Sequence, residues 1–270
     1  MYLPAFTRTR LVAAVILLVL AGTAFPPRAA ADPVLQSRDT TRADDTLVVV
    51  VLGSSTAKGQ GASVLDSSWV QRYRHALADS TGRVRLKNLS MGGYTTYHVL
   101  PSGTAVPRAR PAPDSSVNIS CALALRPSAI IVNLPSNDAA YGFDTTEQIA
   151  NYTRLADAAR RDSVPLWVCT PQPRNLPAAK RRSLPAMRQF VLRVFGPRAV
   201  DFWSDLARED GTLRKEFDAG DGTHLNNAGH RLLFERIRGA GIPGAILAAR
   251  DRAGTMTPDS LTAPGQSGSR

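Results

Sequence analysis

The hydrophobic positions of this chain alternate between short continuous runs and longer stretches with helical spacing. Residues 46–52 (TLVVVVL) are almost entirely apolar and β-branched, which is typical of a strand buried on both faces. Shorter apolar runs predict further strands over 84–89, 129–134, 165–169 and 199–203. Apolar residues three or four positions apart predict helices between them, over 66–78, 118–125, 144–159, 183–195 and 226–238.

This alternation of strands and helices predicts the fold class. A chain that alternates in this way forms a parallel sheet that helices cover on both faces. We therefore expect an α/β fold over residues 46–250, a single-domain three-layer α/β/α sandwich with a central, mostly parallel, flavodoxin-like sheet. Ligands of such sheets bind beyond the carboxyl ends of the strands, so polar residues directly after each strand are the candidates for a site.

The two ends of the chain have a different character. Arg8 and Arg10 precede an apolar stretch over 11–20, and an alanine run ends at Ala31, which together predict a signal peptide over residues 1–31. We therefore expect export to the periplasm or the extracellular space, and no stable membrane span after cleavage, because the apolar stretch is too short. Polar composition predicts a disordered leader over 32–45 and a disordered tail over 251–270.

Composition and charge narrow the function classes. The formal net charge of the 270-residue chain is +11, and loss of residues 1–31 would remove three arginines and leave +8. The arginines are scattered and not interleaved with aromatic residues, so the charge does not predict a nucleic-acid partner. No P-loop motif is present, and the glycines at 59 and 61 lack the third glycine of a dinucleotide site.

The chain has two cysteines, Cys121 and Cys169. Export would permit a disulfide between them. The predicted helix that carries Cys121 feeds a strand next to the one that Cys169 ends, so the two side chains could meet at one edge of the sheet. No cysteine and histidine cluster has the spacing of a zinc site, so we expect no metal.

Four short polar segments carry the candidate chemistry. In 53–56 (GSST), Ser55 follows the first strand, where a strand-to-helix turn can hold its Oγ exposed. In 88–93 (NLSMGG), Gly93 can present a bare backbone N–H, and in 135–138 (PSND), Asn137 can donate from its amide to an oxyanion. In 221–224 (DGTH), Asp221 can fix the tautomer of His224 and leave Nε2 as a base. Each segment alone is also typical of a turn or cap, but together they hold what acyl transfer requires.

The four segments resemble, in order, the four sequence blocks of the SGNH (GDSL-like) hydrolase family, over most of residues 46–238. The resemblance implies a serine esterase without a cofactor, with Ser55 as nucleophile, His224 as base and Asp221 as its support. It also implies an oxyanion hole made by the backbone N–H groups of Ser55 and Gly93 and the side-chain amide of Asn137. Its substrate would be a small-molecule or carbohydrate ester, and the loops 94–113 and 171–177 would shape the pocket.

Some residues depart from the family pattern, and other functions stay open. Ser54 stands where the GDSL form has aspartate, and Pro135 stands where the third block usually has glycine. His230, in the last predicted helix, is interpreted as structural.

An α/β-hydrolase is less consistent with the sequence, because residues 53–57 (GSSTA) fall short of its G-x-S-x-G elbow and follow the first strand. An acyltransferase on the same fold and a non-catalytic carbohydrate-binding protein are the alternatives.

Overall fold

The computed structural model describes residues 46–81, 83–134 and 136–255. The predicted signal peptide and leader, Pro135 and residues 256–270 of the predicted tail lie outside the described residues. Within the described ranges, no helix has the length and apolar character needed to cross a membrane.

A single parallel sheet forms the centre of the described fold. Its strands are β1 (Leu47–Gly53), β2 (Val84–Asn88), β3 (Ala129–Asn133), β4 (Leu166–Cys169) and β5 (Ala199–Val200). Their order across the sheet is β2-β1-β3-β4-β5, and every neighbouring pair is parallel. All residues of β1 except Val48 are buried, as expected for a central strand that is covered on both faces.

Helices cover both faces of this sheet. Their bounds are α1 (Ser55–Lys58), α2 (Trp69–Thr81), α3 (Ile119–Ala124), α4 (Asn137–Tyr141), α5 (Thr145–Arg161), α6 (Ala178–Arg181), α7 (Ser183–Phe195), α8 (Asn227–Gly239) and α9 (Ile242–Thr255). One core packs β1 residues Val49 and Val51 against α2, α8 and α9, and the other packs Val50 and Leu52 against α3, α5 and α7. The predicted three-layer α/β/α sandwich is therefore confirmed.

The starts of two predicted helices are visible as side-chain caps. Asp144 accepts a hydrogen bond from the backbone N–H of Glu147 at 2.8 Å before α5. Asn226 accepts from the N–H groups of Ala228 and Gly229 at 3.0 and 3.1 Å before α8. These caps satisfy donors that the first helical turn leaves without an acceptor, so both starts could be predicted within one residue.

Two elements differ from the sequence prediction. The strand expected over 199–203 ends at Val200, because the Asp201 carboxylate accepts from the N–H of Trp203 at 3.0 Å and turns the chain. Helix α9 was not predicted, since glycine and proline interrupt its first turn, and it extends the folded region to Thr255. Residues 251–255, assigned to a disordered tail from composition, are thus helical.

The sequence left a disulfide between the two cysteines open, and in the structure both are free. Cys169 is fully buried in the core that faces α2 and α8. Cys121 belongs to α3, whose buried residues Ile119 and Ala122 pack into the core on the opposite face. Neighbouring residues of a strand point to opposite faces, so the direction of the Cys169 side chain decides against a disulfide.

The strand order places a topological switch at the centre of the sheet. After β1 the chain moves to β2 on one side, and β3 then adds on the other side of β1. Crevices at the carboxyl ends beside such a switch are the usual binding positions in parallel sheets. Ser55 follows β1 and Asn137 follows β3, so these two residues flank this switch.

Candidate active site

Ser55 occupies the first position of α1, directly beyond the central strand β1. Only 7% of the residue is exposed, whereas the neighbouring Ser54 is fully buried. The turn requires glycine at position 53, since a Cβ there would lie 2.7 Å from Asn133 O and 2.8 Å from Ser90 Oγ. This close approach of β1, β3 and the loop after β2 fixes the backbone that presents the Ser55 hydroxyl.

Ser55, His224 and Asp221 form a continuous chain of hydrogen bonds. The Nε2 atom of His224 lies 2.9 Å from the Oγ of Ser55. The Nδ1 atom of the same ring lies 2.6 Å from Oδ2 of Asp221. The other carboxylate oxygen of Asp221 accepts from the backbone N–H groups of Thr223 and His224 at 2.9 and 2.8 Å.

The charge of Asp221 determines the direction of these bonds. Burial alone would raise the pKa of Asp221, but hydrogen bonds from the His224 ring and from two backbone N–H groups lower it to about 2. An ionised carboxylate only accepts, so Nδ1 of His224 carries the ring proton of the neutral imidazole. Nε2 is then an acceptor for the Ser55 hydroxyl, which is the arrangement of a nucleophile beside a general base.

A second aspartate supports the turn that carries Asp221 and His224. Asp218 accepts from the N–H groups of Gly220 and Gly222 at 2.8 and 3.0 Å, and the hydrogen bonds of the described residues do not link it to the imidazole ring. The turn also packs closely on the loop after α1, where a Cβ at Gly61 would lie 2.9 Å from the Cβ of His224. Only glycine permits this approach, so Gly61 lets the imidazole reach Ser55.

His230 links α8 to the loop that follows Ser55. Its Nδ1 accepts from the N–H of Trp69 at 3.3 Å, and its Nε2 donates to the carbonyl of Gln60 at 3.0 Å. The N–H of Gln60 in turn donates to the carbonyl of Ser55 at 2.9 Å. Burial lowers the pKa of His230 to about 4, so the ring is neutral and supports the site without entering it.

The amide of Asn137 has one orientation that satisfies its neighbours. Its Nδ2 donates to the carbonyl of Tyr94 at 2.8 Å, and its Oδ1 accepts from Nη1 of Arg174 at 3.0 Å. A carbonyl cannot donate and a guanidinium cannot accept, so the flipped amide would lose both bonds. The second Nδ2 proton has no acceptor among the described residues, so it is available to a ligand.

Two backbone N–H groups are also available at this edge of the sheet. Among the described residues, the N–H groups of Ser55 and Gly93 have no hydrogen-bond acceptor. The loop that carries Gly93 is held beside α1, because Asn88 Nδ2 donates to Ala57 O at 2.8 Å and Met91 N donates to Gly53 O at 3.2 Å. The structure thus places all the predicted site residues at one edge of the sheet.

A buried polar network, which the sequence did not reveal, holds the loop after β2 against α4. Asp138 is 2% exposed and accepts from the backbone N–H and the hydroxyl of Thr96. Asn151 donates to the same hydroxyl at 2.9 Å. Burial raises the pKa of Asp138 to about 6 against the opposing effect of these hydrogen bonds. The network therefore fixes the distance between Asn137 and the loop of Gly93.

Arg174 was also missed, although it lies in the loop 171–177 that was expected to shape the pocket. This loop is anchored to the turn of His224, since Gln172 Nε2 donates to Thr223 O at 2.9 Å and Asn175 N donates to Gly222 O at 2.8 Å. Burial lowers the pKa of Arg174, and the nearby charge of Asp221 acts in the opposite direction. Nothing in the local sequence marks Arg174, because its role depends on Asn137 in another segment.

A comparison with models of known protein families identifies the family of this chain. The model of the GDSL-like lipase/acylhydrolase family matches residues 51–232. The chain belongs to this family. The matched region contains Ser55, Gly93, Asn137, Asp221 and His224, which are the residues that the four polar segments indicated.

Several solved structures share the fold of this chain. A candidate acylhydrolase of Bacteroides fragilis aligns with a TM-score of 0.55 and 17% identity, over 81% of this chain and all of the other. An acetyl xylan esterase aligns with a TM-score of 0.54 and 14% identity, over 72% and 99%. A psychrotrophic esterase of Pseudoalteromonas aligns with a TM-score of 0.50 and 16% identity, over 72% and 95%. No curated protein matches this chain in sequence.

Proposed function

We propose that this GDSL-like hydrolase is an exported serine esterase that cleaves carboxylic esters through an acyl-enzyme on Ser55. The observation that carries the proposal is the continuous hydrogen-bond chain from Ser55 Oγ through His224 to Asp221. A structural serine or histidine does not need both bonds, whereas acyl transfer needs a nucleophile, a base and a group that orients the base.

The geometry supports a two-step reaction. Ser55 Oγ attacks the ester carbonyl carbon while His224 Nε2 takes the hydroxyl proton. Collapse of the tetrahedral intermediate breaks the bond to the alcohol, which leaves with the proton from His224. Water then attacks the acyl-enzyme with His224 again as base, and this releases the carboxylic acid and the free Ser55 hydroxyl.

Three donors are assigned to the negative charge that develops on the carbonyl oxygen. They are the backbone N–H groups of Ser55 and Gly93 and the second Nδ2 proton of Asn137. The assignment is supported by the lack of other acceptors for the two backbone groups among the described residues. Such donors stabilise the transition state most when they are held in place before the reaction.

We propose a small acyl group, carried by a small alcohol or a carbohydrate, as the substrate. Half of the Asp221 side chain is exposed (51%), so water has access to the edge of the site, which favours hydrolysis over transfer to another acceptor. One protein of the same fold is an acetyl xylan esterase, which makes acetylated carbohydrates a reasonable first test.

A panel of p-nitrophenyl esters from acetate to palmitate tests the proposal. We expect the highest kcat/KM for the shortest chains, and loss of nearly all activity in Ser55→Ala with an unchanged circular dichroism spectrum. Ser54→Ala is the matched control. It should be nearly fully active, because the buried Ser54 hydroxyl has no hydrogen-bond partner within the described part of the chain. The opposite ranking of the two variants would refute the assignment of Ser55.

Two further measurements address the remaining parts of the proposal. Product analysis with an added acceptor alcohol distinguishes an esterase, which releases acid, from an acyltransferase, which releases a new ester. For export, we expect N-terminal sequencing of the protein from its native host to begin at Asp32. A chain that retains residues 1–31 and stays in the cytoplasm would contradict export.

A further inference from the structure

The guanidinium of Arg174 differs in its surroundings from those of three other half-buried arginines. Arg110, Arg188 and Arg236 each lie within 3.0 Å of a carboxylate oxygen, on Glu147, Asp201 and Asp205 respectively. In the described part of the chain, Arg174 makes no salt bridge, and its hydrogen bond goes to the neutral amide oxygen of Asn137. Arg174 therefore lacks the carboxylate partner that these three arginines have.

Such an arrangement is costly in a free protein. A partly buried charge loses stabilisation by water, and a hydrogen bond to a neutral amide replaces only part of that stabilisation. The carboxylate of Asp221, whose charge acts on Arg174, is occupied by the His224 ring and two backbone N–H groups. Most of the N–H groups of Arg174 thus remain without a protein acceptor among the described residues, and they are at the candidate active site.

Arg174 lies close to the position proposed for the reacting ester. Its Nη1 lies 3.0 Å from the Oδ1 of Asn137, and the Nδ2 of the same amide is the proposed donor to the oxyanion. A group bound to the free side of the guanidinium would therefore lie only a few bonds from the ester carbonyl. The planar guanidinium can donate two parallel hydrogen bonds, a geometry that matches a carboxylate.

We propose that Arg174 binds a carboxylate of the substrate and makes this hydrolase selective for esters that carry one close to the ester bond. The inference rests on the proposed esterase function and specifies its substrate class. The carboxylate can belong to the acyl group, as in a half-ester of a dicarboxylic acid, or to the alcohol, as in an acylated hydroxy acid. In both cases Arg174 supplies the positive charge, while Asn137 and Ser55 contact the reacting carbonyl.

Two matched substrate pairs test the inference. Monoethyl glutarate and ethyl pentanoate differ only by a carboxylate on the acyl side. Potassium 4-acetoxybenzoate and methyl 4-acetoxybenzoate differ by a carboxylate on the alcohol side. For wild-type protein we expect the charged ester to have the higher kcat/KM in one of the two pairs, and that pair identifies the source of the carboxylate.

Arg174→Gln should reduce this preference at least about tenfold, mainly through KM, as expected for loss of a charged hydrogen-bonded contact. Arg174→Lys should restore part of the preference, since lysine retains the positive charge but cannot donate two parallel hydrogen bonds from a planar group. Arg182→Gln is the charge-matched control, because Arg182 is exposed, and it should retain the full preference. Comparison within a pair cancels any general loss that a displaced Asn137 would cause.

The outcomes separate this inference from the proposed function. Equal losses for both esters of each pair in Arg174→Gln would show that Arg174 only positions Asn137, and no preference in the wild type would also overturn the inference. No turnover of these four esters or of p-nitrophenyl acetate would instead refute the esterase. Calorimetric titration of the Ser55→Ala variant with monoethyl glutarate would then still test whether Arg174 binds the carboxylate.

Discussion

The Nε2 atom of His224 lies 2.9 Å from the Oγ of Ser55, although 169 positions separate the two residues in the chain. The contact depends on how α8 and its preceding turn pack against the loop after α1, where Gly61 leaves room for the imidazole. His230 stabilises the same packing from α8 through Gln60. The distance between the proposed nucleophile and base is therefore a property of the tertiary structure, and the following predictions test its consequences.

Removal of the Asn137 amide should reduce the rate without affecting binding. We expect Asn137→Ala to lower kcat by about 10²–10³, which is typical of one oxyanion donor, with little change in KM. Steady-state kinetics on p-nitrophenyl acetate measures both quantities. Asn137→Asp is a second variant that keeps an acceptor for Arg174 but places a negative charge at the oxyanion, so it should be at least as inactive. A normal kcat in either variant would exclude Asn137 from the mechanism.

The two acids of the turn before α8 should have different effects. Asp221→Asn permits the wrong tautomer of His224, and we expect kcat to fall by up to about 10⁴ at every pH. Asp218→Asn keeps an oxygen that can accept from Gly220 and Gly222, so kcat should fall less than about tenfold. Kinetics from pH 5 to 9 compares the two variants. A larger loss in Asp218→Asn would mean that Asp218 orients the base and that Asp221 is a structural cap.

Two buried groups should give opposite pH dependences of the free energy of unfolding. The pKa of His230 is about 4 in the fold, below its usual 6.5. The contribution of His230 to the free energy of unfolding is complete above pH 6.5 and is lost as the pH falls through 4. The pKa of Asp138 is about 6, above its usual 3.8, so its contribution is complete below pH 3.8 and is lost as the pH rises through 6. Each pKa shift corresponds to about 3 kcal/mol. Between pH 4 and 6 the two contributions change in opposite directions and nearly cancel.

Urea unfolding at several pH values tests this balance. We expect the wild-type free energy of unfolding to change little between pH 4 and 6. Relative to the wild type, the free energy of unfolding of His230→Gln should fall as the pH rises over this range, because the opposing effect of His230 is removed. That of Asp138→Asn should rise relative to the wild type, because the opposing effect of Asp138 is removed. Identical slopes in all three proteins would show that neither group titrates as its burial requires.

The two thiols should differ in reactivity. Cys121 is partly exposed, and its thiol donates to Ser116 O at 3.1 Å, whereas Cys169 is fully buried and burial raises the pKa of its thiol. A thiol reagent such as dithionitrobenzoate should therefore modify one cysteine in the native protein and the second only after unfolding. Detection of no thiol after unfolding, with an intact mass two hydrogens lower, would mean that a disulfide forms.

Much of the fold and the set of site residues could be predicted from the sequence. The strands were visible because a strand buried on both faces is apolar throughout, and the starts of α5 and α8 were visible in capping residues only a few positions away. The parallel sheet then placed Ser55, Gly93 and Asn137 at one edge, because polar segments that follow parallel strands meet there. All of these signals are local, or depend only on the order of elements along the chain.

Only the tertiary structure decided the features that depend on contacts between distant segments. The face of the sheet to which Cys169 points excluded the disulfide. The hydrogen bonds that the Asn137 amide donates to the Tyr94 carbonyl and accepts from Arg174 set its orientation. Arg174 itself has no recognisable local pattern, since its position beside Asn137 arises where the loops after β3 and β4 meet. A sequence pattern determines which residues are buried or capped, but the three-dimensional packing determines which polar atoms lie within 3 Å of each other, and the chemistry depends on those distances.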